Sequence, residues 1–209
     1  MKRIVVTALV VAFAVTSLAA YSGSAIFAPQ WELYTQNSDG YPIQMQTLGL
    51  SYGVASSNWD PWGSFVMGDL QFPIKVEFNG SELDEWDYAT SVSCLVGLAR
   101  FTRIDNTTLY AGVGAAWMMN AFAPNEYLSL ISIDVGLGVA IGVLVPITRT
   151  MSVAVGAESV YSFAQHAIVM TGSGDSSDWV EDFSSINSSV HVGVSFDYMR
   201  SEGKYTWGR

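Results

Sequence analysis

The chain has 209 residues, the size of a single domain, and a formal net charge of −10. Only 13% of its residues are charged, about half the share usual in soluble proteins, and no apolar run after the first 20 residues is long enough for a spanning helix. This composition argues against a helical membrane protein, and the acidic balance argues against a nucleic-acid partner, because phosphates need basic contacts.

The first 20 residues are predicted to be a Sec signal peptide. Lys2 and Arg3 form its basic start, residues 4–15 its apolar core, and small residues allow cleavage near 20 or as late as 25. An N-terminal anchor helix is the alternative. The predicted organisation is therefore a signal peptide over 1–20, a barrel over 21–199, and a periplasmic tail or strand end over 200–209.

Eight later segments show the period-two alternation of β-strands. The first, over 25–35, has the weakest pattern because Pro29 interrupts it. The next four lie over 43–54, 64–78, 88–101 and 108–119. In the span 64–78, apolar residues alternate with Asp69, Gln71, Lys75 and Glu77.

The clearest alternation lies in the hairpin over 129–163. Every second residue from 131 to 145 is branched and apolar, whereas the opposite face is mostly small and carries Asp134. Pro146 ends this strand, and a second strand begins at Met151 with Glu158 on its small face. A glycine-rich face lines a narrow barrel well and meets water poorly, so the branched face is predicted to contact lipid.

The last segment, over 186–199, ends in a recognisable pattern. His191, Gly193, Phe196 and Tyr198 follow the order polar, glycine, aromatic, aromatic. This order resembles the C-terminal signal by which the barrel-assembly machinery recognises its substrates. With the signal peptide and the hairpin, the chain is similar to the small bacterial outer-membrane barrels of the OmpA, OmpX and OmpW kind. It departs from them in the residues that follow the signal.

The predicted fold is an all-β, eight-stranded antiparallel transmembrane barrel of the up-and-down type, with ten strands as the alternative. The resemblance implies a location in the outer membrane, with its lipid and the assembly machinery as partners. Turns at 56–63, 102–107 and 146–150 are predicted on the periplasmic side. Connections at 37–41, 79–87, 120–126 and 164–185 are predicted on the external side.

The predicted external connections are rich in carboxylates. We expect a solvated acidic surface that divalent cations or host ligands could contact, although 175–182 lacks the ligand spacing of a calcium loop. No metal site and no cofactor is predicted. The acidic residues are Glu82, Asp84, Glu85, Asp87, Asp175, Asp178, Glu181 and Asp182.

A second polar set is predicted inside the barrel. An eight-stranded barrel has an interior that side chains just fill, so this set is expected to form a hydrogen-bonded plug with trapped water. A narrow cation-preferring pore is the alternative. The predicted members are Asp69, Gln71, Lys75, Glu77, Asp134, Glu158, His191 and Asp197.

Neither histidine is predicted to be catalytic. His166 lacks the nearby serine of the pattern found in barrel lipid-A deacylases, and His191 is too far from Asp197 along one strand face. The predicted function is a non-enzymatic outer-membrane barrel with a structural or surface-interaction role. The alternatives are a narrow channel for small or hydrophobic solutes and a rim enzyme that modifies lipid A.

Overall fold

The computed structural model describes residues 22–37, 42–59, 61–171, 174–180, 182–201 and 204–207. The predicted signal peptide lies outside these residues, as do most of the predicted turn at 37–41 and Glu181. Among the residues that the structure describes, no helix is long and apolar enough to cross a membrane.

The described chain forms one antiparallel sheet of eleven strands. Eight of them close into a ring in the order β1, β2, β3, β5, β6, β7, β8, β10, with β10 bonded back to β1. The predicted eight-stranded barrel is confirmed. The strands are β1 (Ser22–Asn37), β2 (Ile43–Trp59), β3 (Trp62–Phe78), β4 (Ser81–Glu82), β5 (Tyr88–Ile104), β6 (Thr107–Asn125), β7 (Leu128–Pro146), β8 (Met151–Thr171), β9 (Gly174–Trp179), β10 (Ser184–Ser201) and β11 (Lys204–Trp207).

Three short strands lie outside the ring, at its two ends. At the loop end, where β1 joins β2 and β3 joins β5, β4 pairs with β3 and β9 pairs with β8. At the turn end, where β2 joins β3 and β5 joins β6, β11 folds back on β10. Residues 204–207 therefore form a strand of their own and do not prolong the last barrel strand.

The strands extend beyond their predicted ends at the loop end. β6 continues to Asn125 and β7 begins at Leu128, so the connection predicted over 120–126 is mostly strand. β8 has 21 residues, whereas about 9–11 suffice to span a membrane as a tilted strand. Beyond the lipid the two faces of a strand differ less in polarity, which explains why the sequence pattern fades before the strands end.

The register of the strand pairing shows that the strands are tilted, because it shifts along the strands over one circuit of the ring. On β10, His191 faces Gly156 of β8 on one side. When the pairing is followed from His191 around the ring in the other direction, it reaches β8 at Ala167 and not at Gly156. Such a stagger is the geometric requirement for closing a tilted barrel. The path runs through Gln30, Gly49, Gln71, Ser91, Asn120 and Ser132.

The first strand is complete despite its proline. Pro29 has no N–H to donate, and the pairing of β1 with β10 skips Ala28 and Pro29 while the pairing with β2 continues through both. Gly193 of β10 lies beside this gap. A Cβ atom at Gly193 would meet the Phe27 carbonyl oxygen and Ala28, so only glycine fits there.

The outer face carries the apolar band predicted for lipid contact. Val113, Leu137 and Ile141 are 64%, 62% and 57% exposed, although they are among the most apolar residues of their strands. Tyr161 and Phe163 add exposed aromatic rings. A continuous exposed band of this kind suits a hydrocarbon environment and would be costly in water.

The inner face is packed by pairing small residues with large ones. A Cβ atom at Gly142 would clash with the ring of Tyr110, and one at Gly112 would clash with Phe65. Gly156 likewise accommodates the imidazole of His191. The glycines of the small faces therefore make room for large side chains of other strands.

We predict that Val139→Lys, at the middle of the apolar band of β7, lowers the stability of the folded barrel by about 2–4 kcal/mol in lipid, because a charged side chain must enter hydrocarbon. The measurement is urea unfolding in vesicles, followed by the gel shift between folded and heat-denatured protein. Thr148→Lys, in the exposed β7–β8 turn, is the matched control and should change stability little. Equal effects of the two substitutions would contradict a lipid-facing band.

Candidate functional site: the closed interior and the loop-end cleft

The interior near the turn end is filled by apolar side chains, which we call the lower cluster. Phe65 and Met67 of β3 pack there with Leu95 and Phe101 of β5 and Tyr110 of β6. All of them are buried. Phe101 lies near the end of β5 and points inward against Tyr110, with ring centroids 6.0 Å apart. These buried side chains pack against one another across the interior at this level.

A second apolar group, the upper cluster, closes the loop end of the interior. Its buried members are Tyr34, Ile43, Met45, Val76, Met118 and Phe122. Leu83 and Trp86, from the connection between β3 and β5, pack against it. Backbone hydrogen bonds from Leu83 N to Val76 O and from Asp87 N to Ala123 O, both 3.0 Å, fix that connection over the barrel.

Polar side chains occupy the interior between the two clusters, and we call them the polar layer. Along β1 the inward residues change from Ile26 of the lower cluster to Gln30 and Glu32, and then to Tyr34 of the upper cluster. Along β3 they change from Met67 to Asp69 and Gln71 and then to Val76. The two apolar clusters therefore lie on either side of the polar layer.

The ionisable side chains of the polar layer are mainly carboxylates, and His191 is the one basic side chain buried in the described interior. His191 Nδ1 lies 3.6 Å from Glu158 Oε1, and Ser93 Oγ donates a hydrogen bond of 2.8 Å to Asp69 Oδ2. Neither oxygen of Glu32 has a hydrogen-bond partner among the described residues. Acidic groups at this depth must be paired, hydrated or neutralised.

The structure places five of the eight predicted polar residues inside the barrel and three of them elsewhere. Asp69, Gln71, Asp134, Glu158 and His191 are buried in the interior. Asp197 points to the open turn end, where its carboxylate accepts a hydrogen bond of 2.7 Å from Ser24 Oγ.

Lys75 and Glu77 lie on the outer face, which corrects their predicted position. The register of β2 against β3 shifts between Gln46 and Thr47. Gln46 pairs with Lys75, whereas the next residue, Thr47, pairs with Pro73. This β-bulge reverses the alternation, and Val76 points inward instead. Lys75 Nζ then forms surface ion pairs with Glu77 (3.2 Å) and Glu82 (3.1 Å).

Sequence reasoning missed the contribution of β1 to the interior. Gln30, Glu32 and Tyr34 are buried there, although the interruption at Pro29 made the alternation look poor. A detectable signal was present, because Phe27, Trp31 and Leu33 alternate with these residues.

A cleft of about 200 Å³ opens above the polar layer at the loop end. Its floor is a network around Asp134, which is fully buried. The carboxylate accepts hydrogen bonds from Gln165 Nε2 (2.8 Å), the Tyr34 hydroxyl (2.9 Å) and Asn120 Nδ2 (3.3 Å). A second β-bulge, where β8 shifts against Val135 and Gly136, turns Gln165 toward this network.

The predicted acidic residues that the structure describes are divided among exposed connections, strand β9 and, for Glu82, strand β4. Asp84, Glu85 and Asp87 are exposed between β4 and β5, and Asp182 is exposed before β10. Asp175 and Asp178 belong to β9, so the segment predicted as one long connection over 164–185 is largely a hairpin. Among the described residues, no group of three or more acidic, histidine or cysteine residues is arranged to hold a metal ion.

Strand β9 also brings a serine to His166. Ser177 Oγ lies 2.9 Å from His166 Nε2, and Trp179 packs edge-on against the imidazole with ring centroids 5.2 Å apart. The sequence lacks a serine next to His166, but the hairpin supplies one from eleven residues further along the chain. No carboxylate among the described residues is hydrogen-bonded to this histidine.

The residues of the predicted assembly signal lie on β10. His191 is buried, Gly193 lies beside the gap left by Pro29, and Phe196 stacks edge-on with Phe27 at 6.4 Å. The backbone of Tyr198 pairs with Gly23 and Trp207. These positions give His191, Gly193 and Phe196 packing roles in the folded barrel, and their part in assembly stays a prediction.

No protein-family model matches the sequence, and no curated protein matches it. Among solved structures, the outer membrane protein OprG from Pseudomonas aeruginosa is similar with a TM-score of 0.56 and 11% identity, over 87% of this chain and 98% of OprG. Neisserial surface protein A (NspA) is similar with a TM-score of 0.53 and 14% identity, over 83% of this chain and 96% of NspA.

This chain has the fold of the small bacterial outer-membrane barrels. At such low identity the likeness concerns the fold, and the resemblance predicted from the sequence is confirmed at that level. Barrels of this fold span the bacterial outer membrane, which agrees with the predicted location.

Proposed function

We propose that this chain is a non-enzymatic barrel of the bacterial outer membrane, in which it has a structural role and contacts surface ligands through its acidic loop end. The observation that carries the proposal is the closure of the interior by the lower and upper clusters. With the interior closed, the chemistry available to partners lies on the exposed strand ends and connections. The outer-membrane lipid contacts the apolar band.

The proposal places the loop end outside the cell. In barrels of this kind the longer connections are external and the short turns periplasmic. The connection between β3 and β5 and the hairpin of β8 and β9 lie at the loop end, whereas Asp105–Asn106 form a tight turn at the other end. The acidic residues at the loop end then face ligands in the medium.

The alternative function, a narrow channel, fits the same interior less well. A conducting pore needs a continuous hydrated path, and both clusters interrupt one with buried apolar side chains. The carboxylates of the polar layer are therefore better suited to a hydrated plug than to ion passage.

We predict that the wild-type barrel gives no stable unitary conductance steps in planar lipid bilayers, because the clusters block both ends of the polar layer. A general porin reconstituted in the same way serves as the positive control. The double variant Phe65→Ala, Met67→Ala thins the lower cluster and should also stay closed, because the upper cluster is unchanged. Regular steps from the wild type would support the channel instead.

We predict that neutralising three exposed carboxylates, by Asp84→Asn, Glu85→Gln and Asp87→Asn, weakens the binding of a cationic probe protein such as cytochrome c to intact cells that display the barrel. Exposed charge pairs contribute about 0.3 kcal/mol each, so the loss should be about fivefold at low salt. The difference should disappear at high salt, since the charges are solvent-exposed.

The control for this experiment is Asp105→Asn, which makes the same chemical change at the turn end. It should leave probe binding unchanged, because the proposal puts that end in the periplasm. An equal loss from Asp105→Asn would contradict the assigned orientation, and no loss from the triple variant would contradict an acidic binding surface.

A lipid-modifying rim enzyme is a second candidate, favoured by the hydrogen bond between Ser177 and His166. A serine nucleophile needs such a base, but the base in turn needs an orienting group, and none is bonded to His166 in the described structure. We therefore predict that His166→Ala and Ser177→Ala leave the lipid-A acylation pattern of expressing cells identical to that with wild type and with empty vector. Loss of an acyl chain with wild type alone would establish the enzyme.

A further inference from the structure

The loop-end cleft has apolar walls around a polar floor. Ile43 and Met45 of β2, Phe122 of β6, Leu130 of β7 and Val169 of β8 line it. Its volume of about 200 Å³ is smaller than that of sites for drug-sized ligands, so it suits a compact molecule with a short apolar body.

The donors of the floor are used within the floor itself. Gln165 Nε2 donates to Asp134 Oδ1 at 2.8 Å and to Gln36 Oε1 at 3.2 Å. Asn120 Nδ2 donates to Asp134 Oδ2 at 3.3 Å and lies 3.5 Å from Ser132 Oγ. The Tyr34 hydroxyl is 2.9 Å from both Asp134 Oδ2 and Gln36 Oε1. These amide hydrogens are thus not free to bind a ligand.

Some hydrogen-bond acceptors of the cleft, in contrast, have no partner within it. Asn120 is buried and lines the cleft, and its Oδ1 atom has no hydrogen-bond partner among the described residues. Asp178 of β9 adds an exposed carboxylate to the lining. The lining residues include no lysine, arginine or histidine. A buried acceptor without a partner is costly, and a ligand that donates a hydrogen bond to it removes that cost.

We propose that this cleft binds a small primary ammonium compound with a short apolar body. The ammonium group donates to Asn120 Oδ1, which is fully buried, so neighbouring side chains must shift to admit the ligand. It lies in the field of the Asp134 and Asp178 carboxylates. The apolar body packs against Ile43, Met45 and Phe122. The site shares Asp178 with the acidic loop end but is separate from the exposed carboxylates between β4 and β5, so binding here can be tested independently of the proposed function.

The ligand selectivity follows from this arrangement. An alcohol of the same shape can donate one hydrogen bond but gains nothing from the carboxylates. A carboxylic acid anion is repelled by them and meets no basic group. Hydrogen bonds that involve a charged group are about twice as strong as neutral ones, so the amine should bind at least about tenfold more tightly than the alcohol.

The test uses the folded full-length mature chain in lipid nanodiscs with ¹³C-labelled methionine methyl groups. Met45 lines the cleft and Met67 lies in the lower cluster, so one spectrum holds a reporter and its internal control. 2-Phenylethylamine should shift the Met45 signal saturably and leave Met67 unmoved. 2-Phenylethanol should bind at least about tenfold more weakly, and 3-phenylpropanoate should not bind.

Three variants separate specific binding from partition into lipid. Ala167→Phe fills the cleft from β8 and should abolish the saturable shift, while Asn120→Leu should remove the preference for amine over alcohol. The triple variant Asp84→Asn, Glu85→Gln, Asp87→Asn should bind the amine like wild type, which separates this site from the acidic surface. Folding of each variant is checked by its gel shift.

Several outcomes would overturn the proposal. They are equal affinity for amine and alcohol, a saturable shift that persists in Ala167→Phe, or equal movement of the Met45 and Met67 signals. Should Asn120→Leu fail to fold, Asn120→Ser keeps an oxygen at a shorter reach and should weaken amine binding more than alcohol binding. Unchanged selectivity in that variant would also refute the assignment.

Discussion

The narrow interior of an eight-stranded ring is the constraint on which the rest of this structure depends. Strands closed in this way leave space for only a few large side chains at each level, so each must face a small residue on a neighbouring strand. Tyr110 opposite Gly142 and His191 opposite Gly156 are examples. The same constraint forces the branched side chains outward, where only lipid makes their exposure favourable.

Closure also decides what the interior can do. Because the ring is narrow, a few aromatic and methionine side chains are enough to block it at two levels, and the carboxylates between them are enclosed. Polar groups in such a place stabilise the fold only when their hydrogen bonds are made. Glu32 and His191 show that this requirement is met incompletely by the described protein groups.

The groups to which we assign a function lie at the loop end, where long strands extend beyond the apolar band. There the hairpin of β8 and β9 brings together groups that are distant in sequence. It places Ser177 against His166 on one face and Asp178 over the cleft on the other. The floor of that cleft joins β1, β6, β7 and β8 through a single carboxylate, Asp134.

The sequence by itself determined the fold class, the strand count and the face that meets lipid. In 131–145 the period of two gives one branched face and one glycine-rich face. This pattern leaves little choice of which face points inward, because the reverse orientation would expose valine to water and crowd the interior. It also located Asp69, Asp134, Glu158 and His191 on inward positions.

Only the tertiary structure decided where the alternation reverses and which distant residues meet. The bulges near Pro73 and Phe163 depend on how neighbouring strands register, and they moved Lys75 and Glu77 outward and Gln165 inward. The inward face of β1 was hidden by Pro29, whose missing N–H causes only a local gap in the pairing with β10. The cleft and the contact of Ser177 with His166 arise from long-range pairing, which no local pattern encodes.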